Sequence, residues 1–173
     1  MNGFLLLVPF FAIRFGVLAR KGRQALARAA HFAPMPGREA AAYWVYQIAN
    51  GVILLYPFFL RVRLDGSMLF CGGLALYGGG AVLLLAAVLQ FAVPDSTGLN
   101  TGGVYRFSRN PMYLAYFLYF MGMALLTRSP VLLGAVLVFQ AAGHRVILAE
   151  ERECLARFGA AYRDYMQRVR RYL

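Results

Sequence analysis

The sequence predicts an all-α integral membrane protein of about five transmembrane helices, and three observations carry that expectation. Of its 173 residues, 61% are hydrophobic and only 14% are charged, against roughly 45–50% and about 25% in soluble domains. The apolar residues fall in runs close to the ~20 residues that cross a bilayer. Lys and Arg number 18 against 7 Asp and Glu, a net charge of +11, and the basic residues sit between the apolar runs, as the flanks of membrane spans do. That distribution argues against a nucleic-acid partner, which needs one exposed basic stripe. Cys71 and Cys154 lack a second Cys at close spacing or a neighbouring His, so no metal site is expected.

The elements follow in order. Residues 3–19 form the first apolar run, with no basic stretch before it and no small-residue cleavage site close behind, so it reads as a retained span rather than a signal peptide. Arg14 lies inside it, where a charge costs about 2.5–3.5 kcal/mol on insertion scales, and is expected to snorkel towards the basic loop that follows. Residues 20–39 are a polar connection with room for a short surface helix, closed by the Pro34-Met35-Pro36-Gly37 turn signal. Residues 41–60 are the second span, flanked by Tyr43 and Trp44 at one end and by Tyr56 and Phe58 at the other, as interfacial aromatics are. The third is 67–93. Its glycine pairs Gly72 with Gly79 and Gly73 with Gly80 each share a helix face, which suits close helix packing. No strand precedes these glycines and no Lys-Ser or Lys-Thr follows, so a nucleotide loop is not expected.

Residues 94–110 are a polar loop rich in Gly, Ser, Thr and Asn. Spans four and five, 112–127 and 131–149, are separated only by Arg128-Ser129-Pro130, which predicts an antiparallel hairpin. From Glu150 onward, Leu155, Phe158, Tyr162, Tyr165, Val169 and Tyr172 recur at spacings of three and four. That spacing predicts an amphipathic C-terminal helix against the membrane surface. With five alternating spans, thirteen basic residues fall on the side of the 20–39 loop, the 94–111 loop and the tail, against three on the other. The excess assigns the first side to the cytoplasm.

Two clusters on that side can carry chemistry. In the first, Asn110 suits an N-cap and Pro111 the first helical position, so span four starts with its free N–H groups beside Arg109, a natural anion site. Tyr113 lies in the same first turn. The second cluster is Glu150 and Glu151 with His144 and Arg145 upstream. Two adjacent carboxylates at a membrane interface need cationic partners. They serve either to cap the tail helix and pair with Arg145 or Arg109, or to bind a ligand.

Taken together, Gly103-Val104-Tyr105, Arg109-Asn110-Pro111-Met112-Tyr113, an apolar helical pair, Glu150-Glu151, and the Leu155, Phe158-Gly159, Tyr162, Tyr165 and Val169-Arg170-Arg171 series resemble a known family. It comprises the integral-membrane methyltransferases related to isoprenylcysteine carboxyl methyltransferase and phospholipid N-methyltransferase. The resemblance covers residues 94–173 and implies a methyltransferase-like core there, after a three-span region at 1–93. It implies S-adenosylmethionine bound from the cytoplasm by Thr97, Leu99, Gly103, Tyr105, Arg109, Asn110, Pro111, Tyr113 and Glu150. Arg145 and Glu151 would then act on a lipophilic acceptor. The family's His-x-Leu element stands here as Thr97-Gly98-Leu99, and its Arg-His-Pro as Arg109-Asn110-Pro111. Asn110 exchanges hydrogen bonds but does not titrate.

The donor's chemistry agrees with these residue types. A carboxylate asks for a cation or helix N-terminus, an ammonium for a carboxylate, and an adenine for aromatic walls. The acceptor is expected to be a lipophilic carboxylate of isoprenylcysteine type, with a phospholipid or lipid amine as the alternative, reached sideways from the bilayer. The enzyme would be multi-pass, in the plasma membrane if bacterial, and surrounded by lipid. A nicotinamide-dependent sterol-type reductase is disfavoured because Tyr113 is followed by Leu114-Ala115-Tyr116. A non-enzymatic membrane protein is the remaining class, and a transporter would show repeats or broken helices.

Overall fold

Side chains on a lone apolar helix can be covered only by other helices or by lipid, and this chain uses both. The computed structural model describes residues 1–94 and 98–173. Helices account for 77% of the chain, and the described residues contain no strand.

The first helix, α1 (Gly3–Lys21), is capped by Asn2, whose side-chain oxygen accepts from the Phe4 N–H at 2.8 Å. Its middle, Ala12–Val17, is wound as a π turn that carries Arg14. Gly22, at φ 109°, ends it and α2 (Arg23–Ala30) follows, the surface helix for which the polar connection has room. Gly37, at φ 62°, precedes α3 (Arg38–Leu55), whose chain tightens into a 3₁₀ turn at Tyr56–Phe59. Helix α4 (Met68–Phe91) is capped by Ser67. A second 3₁₀ turn, Gly103–Arg106, leads into α5 (Pro111–Thr127). Arg128, in the left-handed region at φ 50°, and the cap Ser129 turn the chain into α6 (Pro130–Phe158). Helix α7 (Ala160–Arg168) comes last.

Three of these helices, α1, α4 and α6, are long and apolar enough to cross a membrane, and α5 is a shorter apolar helix of 17 residues. Ile48, Leu55, Val82 and Leu137 are each more than half exposed on the outside of the bundle. Such an apolar exterior suits lipid and not water.

Helices α4 and α5 meet at glycines. A Cβ on Gly80 would sit 2.5 Å from the Tyr119 nitrogen, and one on Gly122 would sit 2.4 Å from the Tyr77 nitrogen. Of the glycines expected to pack, Gly73 and Gly80 face α5, whereas Gly72 and Gly79 face open space. Helices α3 and α6 are joined by the Tyr46 ring stacked on Phe139, centroids 4.5 Å apart. Phe10 of α1 packs among Tyr116, Tyr119 and Phe120 of α5.

The loops sort to two ends. At one, the Gly3 N–H donates to the Leu60 carbonyl (2.8 Å), the Arg63 N–H donates to the Leu126 carbonyl (3.0 Å), and Arg128 pairs with Asp65. At the other, Glu39 pairs with Arg152, and His31 lies 2.9 Å from Glu153. The segments carrying most of the basic residues therefore share one end of the bundle.

One expectation is corrected here and one is met. The tail is not one helix from Glu150 onward, because α6 runs without interruption to Phe158 and the break falls at Gly159, φ 55°. Ala149, Glu150 and Glu151 are good helix formers, and only the glycine admits the left-handed turn that ends the helix. Glu150 and Glu151 thus lie inside α6 and cap nothing. Arg14 reaches towards the basic connection, as expected. Its Nη2 donates to the Ala29 carbonyl at 2.7 Å, and its guanidinium lies over the Tyr116 ring.

Candidate functional site

Glu151 holds this end of the bundle together. Its side chain is 5% exposed. Oε1 accepts from Arg109 Nε at 3.1 Å, and Oε2 accepts from Arg171 Nε and Nη2 at 3.0 and 2.8 Å. The hydrogen bonds to Glu151 hold the Arg171 guanidinium above its usual value, as expected for a cation hydrogen-bonded to a carboxylate. Arg109 also donates through Nη1 to the Met166 carbonyl (3.0 Å) and through its backbone N–H to the Arg170 carbonyl (2.9 Å). The start of α5, the end of α6 and the tail are therefore tied at one point.

Asn110 occupies the N-cap position of α5, and Pro111 follows it at N1 as expected, but the Asn110 side chain does not cap. Its Nδ2 donates instead to the Arg171 carbonyl at 3.2 Å and to Glu151 Oε1 at 3.4 Å. The amide joins the knot because two strong acceptors lie within reach there.

Glu150 points elsewhere, since adjacent helical positions differ by about 100°. It accepts a hydrogen bond from the Tyr113 hydroxyl at 2.9 Å, and no cation among the described residues lies within ion-pair distance of it. Of the two carboxylates expected to pair with Arg109 or Arg145, Glu151 takes Arg109, and neither pairs with Arg145 among the described residues.

Beside Glu150 lies a cavity of about 450 Å³, within the ~300–1,000 Å³ of small-molecule sites. Leu99, Tyr105, Arg109, Asn110, Pro111, Tyr113, Glu150 and Glu151, all expected site residues, line it. The Tyr165 hydroxyl donates to the Tyr105 carbonyl at 2.6 Å, and Leu99 packs with Tyr162 and Tyr165, so the tail forms one wall. Burial pushes the Tyr105 hydroxyl well above its ordinary value and that of Tyr165 up to about 12. Both rings remain neutral at physiological pH.

Three expected residues stand apart. Gly103 does not line the cavity: at φ +52° it leaves the space that the Gln90 amide fills, and Gln90 Oε1 accepts from the Val104 N–H at 2.8 Å. Its glycine is required by that latch. Arg145 is exposed on α6 and lies outside the cavity. Thr97 lies outside the described residues.

The cavity also has walls the motifs did not reveal. Arg14, Arg28, Tyr46 and Phe91 come from before residue 93, and Asn100 from the loop. Arg28 donates to the Phe91 carbonyl and covers the Phe91 ring at 4.9 Å. Its Nε, and Oδ1 of Asn100, are buried with no hydrogen-bond partner among the described residues. A buried polar atom without a partner is costly, and both residues line the cavity. The only signals available in sequence were a charge inside a span and a basic loop.

A helical membrane protein with an aromatic-walled cavity at its basic end, holding a carboxylate with no ion pair among the described residues, is the class that fold and site define. Residues 90–161 match the family model described as Phospholipid methyltransferase, which places that stretch in the membrane methyltransferase family. The match runs from the end of α4 through the loop, α5 and α6 to the first turn of α7. Comparison with curated proteins and with solved structures gives no match.

Proposed function

We propose that this chain is an S-adenosylmethionine-dependent methyltransferase acting on the amine of a membrane lipid. The observation that carries this reading is Glu150, a carboxylate in the cavity held by Tyr113 and paired with no cation among the described residues. An ammonium is the partner it lacks. Leu99, Tyr105, Pro111 and Tyr113 supply apolar and aromatic walls, and Arg28 and Asn100 bring polar side chains to the lining. S-adenosylmethionine, when bound there, would supply an electrophilic methyl group to the acceptor's lone pair.

The protein's share of the work is positioning and exclusion of water. Glu150 binds an ammonium or takes the proton that a lipid ammonium must lose before it can accept a methyl group. Tyr113 orients that carboxylate. Arg109, engaged by Glu151 and the tail carbonyls, positions the tail. Tyr162 and Tyr165 close the cavity against water.

The placement follows the charge asymmetry, with five spans, the cavity facing the cytoplasm, and the plasma membrane as location if the source is bacterial. At 1.5 Å per residue, 17-residue α5 reaches about 25 Å, which local bilayer thinning accommodates.

A second acceptor, a carboxylate of isoprenylcysteine type, is favoured by Arg14. It lines the cavity with no carboxylate among the described residues in ion-pair distance. Calorimetry with S-adenosylmethionine tests the donor, and radiolabelled methyl transfer to phosphatidylethanolamine or to N-acetyl-S-farnesylcysteine tests the acceptor. Absence of donor binding to the wild-type protein overturns the reading. Label on the farnesylcysteine alone selects the second acceptor.

A further inference from the structure

Behind the main cavity is a second hollow of about 270 Å³. The two share Arg14, Ala29, Phe32, Tyr46 and Tyr116, so they adjoin across one ring of side chains. Apart from Asn50, the rest of its wall is apolar, with Phe11, Phe15, Leu18, Leu54 and Phe120 among the lining residues. Phe15 is half exposed on the outer side of α1, which puts the hollow next to the apolar exterior of the bundle.

Arg14 is the one charged side chain among the described residues lining this hollow. It sits on the π turn of α1, an irregularity that often marks a functional position in a helix. The Ala29 carbonyl at 2.7 Å, the Met112 sulfur at 3.5 Å and the Tyr116 ring at 5.8 Å hold the guanidinium in place. None of these groups carries a formal negative charge. A cation kept at the foot of an apolar hollow in a membrane protein is costly unless an anion meets it, and the guanidinium fork suits a planar carboxylate or a phosphate.

We propose that the 270 Å³ hollow takes the hydrocarbon chain of the acceptor lipid, and that Arg14 binds the anionic group joining that chain to the accepting atom. The inference rests on the lipid methyltransferase reading above and adds to it a chain site, lined mostly from outside the 90–161 match, and a positioning residue that lies outside it. The anion is a phosphate diester if the acceptor is a phospholipid, or a carboxylate if it is a prenylated cysteine. In either case it is held at the junction while the accepting atom reaches the Glu150 side. Apolar chain burial supplies affinity, and Arg14 sets how deep the head group enters.

The probes are dioleoylphosphatidylethanolamine and N-acetyl-S-farnesylcysteine in detergent micelles, with dioleoylglycerol as the long-chain control lacking an anion. Native mass spectrometry measures their binding to wild-type protein and to Arg14→Gln, Arg14→Lys and Leu54→Trp variants, and calorimetry measures S-adenosylmethionine affinity in each. Wild-type protein is expected to bind at least one anionic probe about tenfold more tightly than the diacylglycerol, a charge-assisted hydrogen bond's worth of discrimination. The preferred probe identifies the source of the anion. Arg14→Gln is expected to erase the preference and Arg14→Lys to keep most of it. Leu54→Trp, which fills the hollow, weakens every long-chain probe by about tenfold. Donor affinity stays within about twofold in Leu54→Trp, whose residue lines the hollow and not the main cavity. No anion preference in the wild type, or a preference unchanged in Arg14→Gln, overturns the role of Arg14. If Arg14→Gln does not fold, Arg14→Met takes its place and is read in the same way, and unchanged lipid binding in Leu54→Trp overturns the chain site. Failure of the wild type to bind donor refutes the methyl-transfer reading instead, while the lipid measurements still decide the role of Arg14.

Discussion

Replacing Glu151 with Ala separates an ionic clasp from an apolar one. The Arg109 and Glu151 side chains are 7% and 5% exposed, and Arg171 is 32% exposed. Removing one partner of a buried pair costs about 3–5 kcal/mol, because the other charge is left without compensation. The half-exposed contact to Arg171 adds at most about 1 kcal/mol after screening. Arg109 keeps its bond to the Met166 carbonyl, and Leu99, Tyr162 and Tyr165 keep their apolar contacts, so the lower figure applies. A loss of about 3 kcal/mol raises the open population of the tail roughly a hundredfold.

Limited trypsin digestion in detergent reads that population, since cleavage follows it when reclosing is faster than cutting. Cleavage after Arg168, Arg170 and Arg171 should quicken by about a hundredfold. Donor affinity should fall with it, because Tyr162 and Tyr165 leave the cavity wall. The double variant Arg109→Met with Glu151→Met, which removes the buried charges together, should recover much of the protection. If Glu151→Ala is cut no faster than the wild type, the apolar contacts alone hold the tail, and the ionic clasp plays no part.

Glu150→Gln should weaken donor binding by about 1.5–3 kcal/mol, the range of a charge-assisted hydrogen bond, with tail protection unchanged; equal loss of protection would merge its role with that of Glu151. Gly122→Leu should destabilise the protein by several kcal/mol, since the first added carbon meets backbone atoms of Tyr77 and Gly73 at 2.4 and 2.7 Å and overpacking costs about 1–3 kcal/mol even where side chains can yield. Gly79→Ala, facing open space, should be neutral or stabilising by up to about 1 kcal/mol, and thermal melts in detergent compare the two. Arg145→Ala should leave donor affinity and turnover within about twofold, and a large loss in the radiolabelled assay would return Arg145 to the site. Cysteines placed at Gly98 and Leu173, in a background lacking Cys71 and Cys154, should be labelled from the same side of the membrane, and opposite labelling would contradict the shared end.

Composition, periodicity and the spacing of charges are properties of single segments, and they determined what single segments can determine. The all-helical class follows from the apolar runs, and the start of α5 from Pro111. The gathering of the 20–39 segment, the loop after α4 and the tail at one end follows from counting alternating helices. Questions about which residue faces which were decided only by the tertiary structure. Arg109 chose Glu151 over Glu150 because α6 is turned about its axis by contacts such as Tyr46 on Phe139, and a rotation of about 100° separates the two carboxylates. The same rotation put Arg145 on the outside. Arg14 turned inward because the Ala29 carbonyl and the Tyr116 ring, from two other segments, meet the π turn that carries it. Arg28, on α2, and Asn100, in the loop after α4, reached the cavity through placements that no pattern foretells. A helix's face is marked in its sequence, but the angle at which it meets its neighbours is set by side-chain packing between segments far apart in the chain.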